Sequence, residues 1–215
     1  MDRISAHPDT TSEEPVVLVI DDDPSVRTAV GSLLHSVHLR VETYNSPHAF
    51  LRAQLPTAPS CLILDVRMPG QSGLDLQAEL IREDVRIPII FLTGYGDVPM
   101  SVKALKAGAI DFLTKPFSNQ ELLDAVNAAL RIACNQRKQE KRVSDLRACF
   151  DALTGREQQI MRLVTQGLMN KQVAQELRIT EITVKIHRAN MTRKMAAKSL
   201  PDLVRMAETL GLRGA

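Results

Sequence analysis

The sequence VVLVIDDDPSV, residues 16–26, joins five consecutive apolar residues to three consecutive carboxylates. A short, uninterrupted run of β-branched and aliphatic residues is typical of a strand that is buried on both faces, as in a parallel sheet. Asp21, Asp22 and Asp23 stand at the end of this strand. Neighbouring carboxylates repel one another and raise one another's proton affinity, so the cluster indicates a bound cation.

Four further apolar segments rich in β-branched residues repeat this pattern, namely LRVETY (39–44), CLILD (61–65), IPIIFL (87–92) and AIDFL (109–113). Between them, apolar residues recur three and four positions apart, which is the spacing of one face of a helix. Asp23 is suited to cap the first helix, and Pro24 to occupy its first turn. Five alternations of strand and helix predict an α/β domain of the (βα)5 type with a doubly wound parallel sheet.

The chain beyond Pro116 shows only helical patterns. Four short helices are expected from residue 153 onwards, and their predicted N-caps are Thr154, Asn170, Thr180 and Ser199. Gly167 and Gly211 are suited to end the first and the last of these helices. The tight turn RIT (178–180) followed by a basic helix is typical of a helix-turn-helix.

The predicted organisation therefore has four parts. Residues 1–14 are expected to form a flexible tail, 15–133 the α/β domain, 134–150 a helical linker, and 151–215 an all-α helix-turn-helix domain. The linker carries apolar residues along one side, so it is either a helix with a weak seam or a plain solvated helix.

Charge is distributed unevenly along the 215 residues. Residues 1–135 hold 11 Lys and Arg against 17 Asp and Glu, a net charge of −6, whereas residues 136–215 hold 16 against 8, a net charge of +8. The acidic part is suited to a cation and the basic part to phosphate groups. The three cysteines lack metal-binding spacing and are expected to be reduced. Neither a membrane span nor a signal peptide is evident, so a cytoplasmic protein is expected.

Polar residues follow the ends of the other predicted strands. Asp65 follows the third strand, Thr93 the fourth and Lys115 the fifth. In an open α/β sheet the carboxyl ends of the strands line the ligand site, so these side chains are expected to share one pocket with Asp21 and Asp22. Carboxylate oxygens without nearby His or Cys favour Mg²⁺, which binds through one or two carboxylates and a phosphate.

The chain resembles response regulators of the FixJ branch of the NarL/FixJ family, which carry a LuxR-type helix-turn-helix. The resemblance covers residues 15–212 and lies in the stretches VLVIDDDPSVR (17–27), LILDVRMPGQSGLDL (62–76), IPIIFLTGYGDVPMSVKALKAGAIDFLTKPF (87–117) and LTGREQQIMRLVTQGLMNKQVAQELRITEITVKIHRANMTRKMAAKSL (153–200). This branch includes regulators of nitrogen fixation and of styrene and toluene catabolism. The resemblance implies a receiver domain over the α/β part and promoter DNA as the target of the helical part.

Roles for the pocket residues follow from this resemblance. It implies that Asp65 is the phosphoacceptor and that Asp22, Asp65 and the backbone carbonyl of Arg67 hold Mg²⁺ or Mn²⁺, with Asp21 assisting. It also implies that Thr93 and Lys115 bind the phosphoryl oxygens, that Phe112 is the aromatic switch residue, and that the bond between Lys115 and Pro116 is cis. Arg67 and Tyr95 flank the site at positions that tune how long the phosphoryl group lasts.

The same resemblance implies the partners of the protein. They are a sensor histidine kinase, promoter DNA, RNA polymerase and, upon phosphorylation, a second copy of the chain. The function implied is that of a transcriptional regulator, an activator, controlled by phosphorylation of Asp65. Catalysis would be limited to the receiver's own phosphotransfer and a slow autodephosphorylation.

Residues 181–195 separate into two faces when they are placed on a helix at 100° per residue. Val184, Met191 and Met195 form the side expected to pack on other helices, with His187 beside them. The opposite side combines cations with apolar side chains, as surfaces that contact base edges do. The resemblance places Lys185, Ile186 and Ala189 at base-facing positions. The full predicted set of DNA contacts is Lys185, Ile186, Ala189, Ile182, Arg193, Arg188, Thr183, Asn170 and Lys171.

Three other functions were compared with this hypothesis. DDDPS (21–25) partly matches the nucleophile motif of haloacid-dehalogenase-like phosphatases but departs from it at Ser25, and the basic helical end has no use in such an enzyme. A P-loop ATPase is excluded because the chain has no Gly-Lys pair. A receiver that acts only through protein partners is the third alternative, and it predicts no salt-sensitive DNA binding.

Overall fold

The computed structural model describes residues 14–94 and 98–212. The predicted tail, apart from Glu14, and the flanking residue Tyr95 lie outside the described residues. The chain divides into two compact units whose boundary lies between Arg137 and Lys138. The domain limits proposed from the sequence remain predictions.

The first unit contains a five-stranded, all-parallel sheet, which confirms the predicted α/β class. The strands follow the order β2-β1-β3-β4-β5 and comprise β1 (Val16–Ile20), β2 (Arg40–Tyr44), β3 (Ser60–Asp65), β4 (Ile89–Thr93) and β5 (Asp111–Thr114). The helices that follow the strands are α1 (Pro24–Ser36), α2 (Pro47–Arg52), α3 (Gly73–Arg82), α4 (Val98–Lys106) and α5 (Asn119–Asp151).

The strands are buried on both faces, as their unbroken apolar runs predict. Val16, Leu18 and Ile20 of β1 pack into a core that also contains apolar residues of α2, α3 and α4. Val17 and Val19 point into a second core with residues of α1 and α5. Helices therefore cover both faces of the sheet, and each fully buried aliphatic side chain contributes about 1.5–3 kcal/mol to the stability of the unit.

The chain changes direction along the sheet between β1 and β3, which are neighbours in space but not in sequence. The first helix packs on one face of the sheet and the next three pack on the other. This leaves a crevice at the carboxyl ends of β1 and β3, which is where ligands bind in doubly wound sheets.

The second unit consists of the end of α5 and four short helices, α6 (Gly155–Thr165), α7 (Asn170–Leu177), α8 (Glu181–Lys194) and α9 (Leu200–Thr209). Their apolar faces enclose a core that includes Phe150, Ile160 and Val173. The predicted caps Thr154, Thr180 and Ser199 each accept a backbone hydrogen bond from their helix. Positive φ angles of Gly167 and Gly211 follow α6 and α9, as expected for helix ends.

The predicted N-cap of α7 was wrong. Met169, not Asn170, is the N-cap, and Asn170 is the first residue of the helix. The backbone N–H of Met169 donates to Gln172 Oε1 at 2.8 Å, which is the N3 half of a capping box, and Met169 has no side-chain acceptor to supply the other half. The side chain of Asn170 instead accepts a hydrogen bond from Arg188.

The predicted linker segment is helical throughout, since it lies within α5. Residues 137–145 are exposed, and Val143 on the predicted apolar side is 42% exposed. Leu146 and Phe150 belong to the core of the second unit. The apolar seam is thus interrupted over 137–145, as in a solvated linker helix.

All three cysteines have free thiols. Burial raises the pKa of Cys61 to about 12, so this thiol stays protonated at neutral pH. In the part of the chain that the structure describes, none of the helices combines the length and the apolar character that crossing a membrane requires.

Candidate functional site

Three carboxylates meet in the crevice at the ends of β1 and β3. One oxygen each from Asp21, Asp22 and Asp65 lies within 4.8 Å of the others. Asp21 and Asp65 are buried, whereas Asp22 is exposed. Three hard oxygen donors at this spacing, one of them facing solvent, suit a small divalent cation that keeps part of its water shell.

Lys115 joins two of these carboxylates from the end of β5. Its Nζ lies 2.6 Å from Asp21 Oδ2 and 3.1 Å from Asp65 Oδ2. Lys115 precedes a cis bond to Pro116, and its backbone N–H donates to the carbonyl of Thr93 at 2.6 Å. The ammonium group therefore lies between two buried carboxylates, where it partly neutralises them.

The pKa values of the pair show how the charges balance. Burial raises the pKa of Asp65, an effect that the adjacent Lys115 opposes and Asp21 reinforces. Burial also acts to lower the pKa of Lys115, but the hydrogen bonds and charges of Asp21 and Asp65 outweigh it and raise that pKa. Lys115 is thus held as a cation, and Asp65 is a carboxylate whose charge is only partly compensated.

The loop after β1 is fixed by backbone contacts. The N–H of Asp23 donates to Asp21 Oδ1 at 2.9 Å, and Arg27 Nη1 donates to the carbonyl of Asp21 at 2.7 Å. Asp23 itself accepts the N–H of Ser25 at 2.8 Å and caps α1, as predicted. Its carboxylate is therefore engaged by the helix and stands apart from the metal cluster.

The loop after β3 brings Arg67 and Gly73 against the phosphoacceptor candidate. The N–H of Arg67 lies 3.4 Å from Asp65 Oδ1, a weak contact, and the side chain of Arg67 is exposed. A Cβ atom at Gly73 would lie 2.2 Å from the carbonyl oxygen of Asp65. Only glycine allows the start of α3 to approach the backbone of Asp65 so closely.

Thr93 and Phe112 lie on the β4–β5 side of the pocket. Thr93 ends β4 and is fully buried, and in the sheet register the residue before it, Leu92, lies beside Asp65. Phe112 in β5 is half-buried and packs against Phe91, with ring centroids 6.1 Å apart. Both residues are therefore placed on the strands that lead from the pocket to α4 and α5.

The second candidate site is the outer side of α8. Val184, Met191 and Met195 are buried in the core of the second unit, which confirms the predicted packing side. His187, expected to pack in the core, is half-buried. The residues predicted on the opposite side are all exposed, namely Ile182, Lys185, Ile186, Ala189 and Arg193.

The four other predicted DNA contacts differ in exposure. Lys171 is exposed on α7, whereas Thr183 is half-buried and its hydroxyl lies 2.8 Å from that of Thr180. Arg188 donates to the side chain of Asn170 and so joins α8 to the start of α7. This bond adds a polar contact to the apolar core that α7 and α8 share.

An ion pair between exposed Lys194 and buried Glu157 lies at the other end of α8. Lys194 Nζ lies 2.8 Å from Glu157 Oε2, and the Glu157 side chain is 4% exposed. The bond to Lys194 lowers the pKa of Glu157, and hydrogen bonds from Thr154 lower it further. The two residues are 37 positions apart, so no local spacing in the sequence indicated this pair.

The family models agree with both sites. Residues 17–127 match the response regulator receiver domain, and residues 151–207 match the bacterial regulatory proteins of the luxR family. The chain is a two-component response regulator. The fold class, the FixJ-type branch and the assignment as a response regulator with a DNA-binding domain are therefore confirmed, and the alternative phosphatase fold is not supported.

Several relatives resemble this response regulator over most of its length. Nodulation protein W of Bradyrhizobium diazoefficiens is 52% identical over 201 residues, which cover 94% of this chain and 88% of the relative. Response regulator protein TodT of Pseudomonas putida is 51% identical over 195 residues, 91% of this chain and 86% of TodT. A low-resolution structure of the response regulator StyR has a TM-score of 0.80 at 47% identity and covers 91% of this chain and 98% of StyR.

Membership of this family has direct consequences. Receiver domains bind Mg²⁺ in an acidic pocket, and the group of Asp21, Asp22 and Asp65 is the corresponding pocket of this response regulator. A receiver implies a sensor kinase as partner, and the luxR-type helix-turn-helix implies binding to DNA. The protein is thus a phosphorylation-linked regulator that acts on DNA.

Proposed function

We propose that Asp65 accepts a phosphoryl group from a sensor histidine kinase and that this event controls DNA binding by α8 to activate transcription. The proposal is based on the close approach of four side chains at the ends of β1, β3 and β5. These are Asp65, Asp21, Asp22 and Lys115. A nucleophile, a cation site and a fixed ammonium group are thereby brought to one crevice.

The proposed ligands of Mg²⁺, or of Mn²⁺ in its place, are carboxylate oxygens of Asp22 and Asp65 and the backbone carbonyl of Arg67, with Asp21 assisting. The donor set supports this proposal, because all of the ligands are hard oxygens and the three carboxylates lie within 4.8 Å of one another. When bound, the ion would neutralise charge on the transferred phosphoryl group.

In the proposed reaction, a carboxylate oxygen of Asp65 attacks the phosphorus of a phosphohistidine on the kinase. The phosphorus–nitrogen bond breaks, its electron pair stays on the imidazole, and an acyl phosphate forms on Asp65. Lys115, which now contacts Asp65 at 3.1 Å, would bind a phosphoryl oxygen as a point charge. The only catalysis proposed is this transfer and the slow hydrolysis of the acyl phosphate.

We propose that phosphorylation changes the structure of the receiver through residues of β4 and β5. The hydroxyl of Thr93 would bind another phosphoryl oxygen. The resulting movement of Thr93 towards the phosphoryl group would allow Phe112 to turn inward beside Phe91. These changes would remodel the surface of α4, β5 and α5 and favour a homodimer. Exposed Val102 and Leu105 on α4 supply apolar area for such an interface.

The proposed output is sequence-specific binding of two helix-turn-helix units to promoter DNA, followed by recruitment of RNA polymerase. The base-facing residues would be Lys185, Ile186 and Ala189, with Ile182 and Arg193 on the same exposed side. Lys171, Thr183, Asn170 and Arg188 would contact phosphates or support those contacts. Because the target is promoter DNA, the protein would act in the cytoplasm.

Labelling by acetyl phosphate tests the assignment of Asp65. We expect Asp65→Asn to abolish acid-labile, hydroxylamine-sensitive labelling, because an amide cannot form the acyl phosphate. Asp22→Ala should shift the Mg²⁺ dependence of labelling to higher concentration. Asp23→Asn is the matched control, since Asp23 belongs to the same acidic run but caps α1, and it should label as the unaltered protein does. Undiminished labelling of Asp65→Asn would contradict the proposal.

A further inference from the structure

The side chain of Arg27 in α1 contacts the loop that carries the first two carboxylates of the acidic pocket. Its Nη1 donates to the backbone carbonyl of Asp21 at 2.7 Å, and the residue is half-buried. Pairing of β1 with both neighbouring strands ends at Ile20, so the carbonyl of Asp21 lies beyond the last residue pair of the sheet. Arg27 therefore supplies a hydrogen-bond donor to a carbonyl that lies just outside the strand pairing.

The stability of α1 alone does not account for this arginine. Arg27 lies near the start of the helix, four residues after the N-cap Asp23, where the helix dipole does not favour a cation. Its guanidinium group contacts a residue six positions earlier in the chain, outside the helix. The contact therefore orders the loop between β1 and α1.

This contact fixes the peptide unit that joins the two carboxylate residues. The carbonyl of Asp21 and the N–H of Asp22 belong to one planar unit, so a donor that holds the carbonyl also fixes the direction of Asp22. The carboxylate of Asp21 has its own contacts, from Lys115 to Oδ2 and from the N–H of Asp23 to Oδ1. Asp22 is exposed, and none of the hydrogen bonds within the described part of the chain involves its carboxylate. Its position therefore depends on the backbone that Arg27 holds.

We infer that Arg27 is a positioning residue for the divalent cation, and that it raises the affinity of the pocket for Mg²⁺ by orienting Asp22. This inference rests on the proposed cation site, in which Asp22 is a ligand. Outer contacts that orient a metal ligand commonly change metal affinity by about 10- to 100-fold. The guanidinium group also places a positive charge near the site, and this charge alone would repel the ion. The two effects have opposite signs, so the affinity for Mg²⁺ distinguishes them.

Replacement of Arg27 tests the inference through Mg²⁺ binding without a phosphoryl donor, measured as the rise in thermal stability of the full-length protein when Mg²⁺ is added. Arg27→Met removes the donor and the charge, and we expect it to bind Mg²⁺ about tenfold more weakly. Arg27→Lys should recover most of the lost affinity, because its ammonium group can donate to the same carbonyl. Arg27→Gln, whose side chain is shorter, should behave as Arg27→Met does and replaces it if the methionine variant does not fold.

Labelling by acetyl phosphate gives a second measurement. Arg27→Met should require about tenfold more Mg²⁺ for half-maximal labelling. At saturating Mg²⁺ it should reach the rate of the unaltered protein, because Asp65 and Lys115 are unchanged and only binding of the ion is weakened. A lower rate at saturating Mg²⁺ with unchanged Mg²⁺ affinity would overturn the inference, since Arg27 would then act on the transfer itself.

Arg52→Met is the matched control, because Arg52 is an exposed arginine at the end of α2 in the same unit. It should leave the Mg²⁺ affinity unchanged. Unchanged or tighter Mg²⁺ binding by Arg27→Met would overturn the inference, and so would a lysine variant that recovers no affinity, since the effect would then come from packing of the arginine side chain. If the unaltered protein bound no Mg²⁺, the proposed cation site would fail, and this inference would fail with it. Mg²⁺ binding without labelling of the unaltered protein would contradict only the proposed phosphorylation.

Discussion

In the acidic pocket, side chains that lie 50 and 94 residues apart in the chain meet as a largely buried cluster of charges. The outer side of α8, by contrast, is an exposed surface supplied by a single helix. Charges in the pocket are desolvated and depend on one another, whereas contacts on α8 are separated along the helix and contribute one by one. Single substitutions should therefore have large, non-additive effects in the pocket and smaller, nearly additive effects on α8.

The largest effect is expected from Lys115→Met. The substitution removes the ammonium group of Lys115. Asp21 and Asp65 are then left as adjacent buried carboxylates, and the phosphoryl group loses a fixed cation. The rate of labelling by acetyl phosphate should fall about a hundredfold, which is typical for loss of one preorganised donor. Stability without Mg²⁺ should fall by about 3 kcal/mol. Single-turnover labelling and thermal unfolding would measure the two effects.

Lys106→Met is the control for this change, because Lys106 is an exposed lysine at the end of α4. Lys106→Met should change neither the rate of labelling nor the stability of the protein by much. Addition of Mg²⁺ should restore part of the stability of Lys115→Met, because the ion supplies positive charge to the same carboxylates. A Lys115→Met protein that labels at the original rate would show that the ammonium group has no part in the transfer.

A smaller effect is expected on the helix-turn-helix. Lys185→Ala should weaken binding to a selected operator by about 1–3 kcal/mol and leave random DNA less affected, since Lys185 is proposed to contact a base. Lys171→Ala should weaken binding to all DNA sequences alike. It should also reduce the salt dependence of the affinity by the equivalent of about one phosphate contact. Competition binding at several salt concentrations separates the two results. If Lys185→Ala lost the same affinity for operator and random DNA, Lys185 would not be a base-contacting residue.

The sequence predicted the local features of both sites well. Unbroken apolar runs indicated doubly buried strands, and the polar residues after Ile20, Leu64 and Leu92 were placed in one pocket because parallel strands end at the same edge. On α8 a helical period was enough to separate the buried from the exposed side. The burial patterns depend on residues that are close in sequence, and the shared pocket follows from the common edge at which parallel strands end.

The missed features depend on packing between distant segments. Arg27 binds the carbonyl of Asp21, and Gly73 approaches the backbone of Asp65, but neither contact has a spacing that sequence reasoning could detect. The cap of α7 was misplaced because Asn170 has a partner on another helix, Arg188, which local capping rules do not consider.

The smallest effects expected are the opposite pH dependences of two carboxyl groups, Asp65 in the first unit and Glu157 in the second. The pKa of Asp65 is raised by burial, so its contribution to stability is fully present below the usual pKa of an aspartate and is lost as the pH rises through the raised value. The pKa of Glu157 is lowered by Lys194, so its contribution is present above the usual pKa of a glutamate and is lost as the pH falls through the lowered value.

Thermal unfolding in Mg²⁺-free buffer between pH 3 and pH 7 would measure these contributions, each expected to be about 1 kcal/mol. Asp65→Asn should gain stability relative to the unaltered protein as the pH rises. Glu157→Gln should lose stability relative to it above about pH 4.5 and approach it at lower pH. If both variants shifted stability in the same direction with pH, the assigned environments of these two carboxyl groups would be wrong.

The measurement that tests the central claim most directly is equilibrium binding of the full-length protein to a selected operator duplex, with and without acetyl phosphate and Mg²⁺. We expect phosphorylation to tighten binding about a hundredfold, the lower end of the gain from pairing two binding modules on one DNA. Asp65→Asn should bind with the affinity of the unphosphorylated protein under both conditions. An equal increase in affinity for Asp65→Asn, or no increase for fully labelled protein, would contradict control of DNA binding by phosphorylation of Asp65.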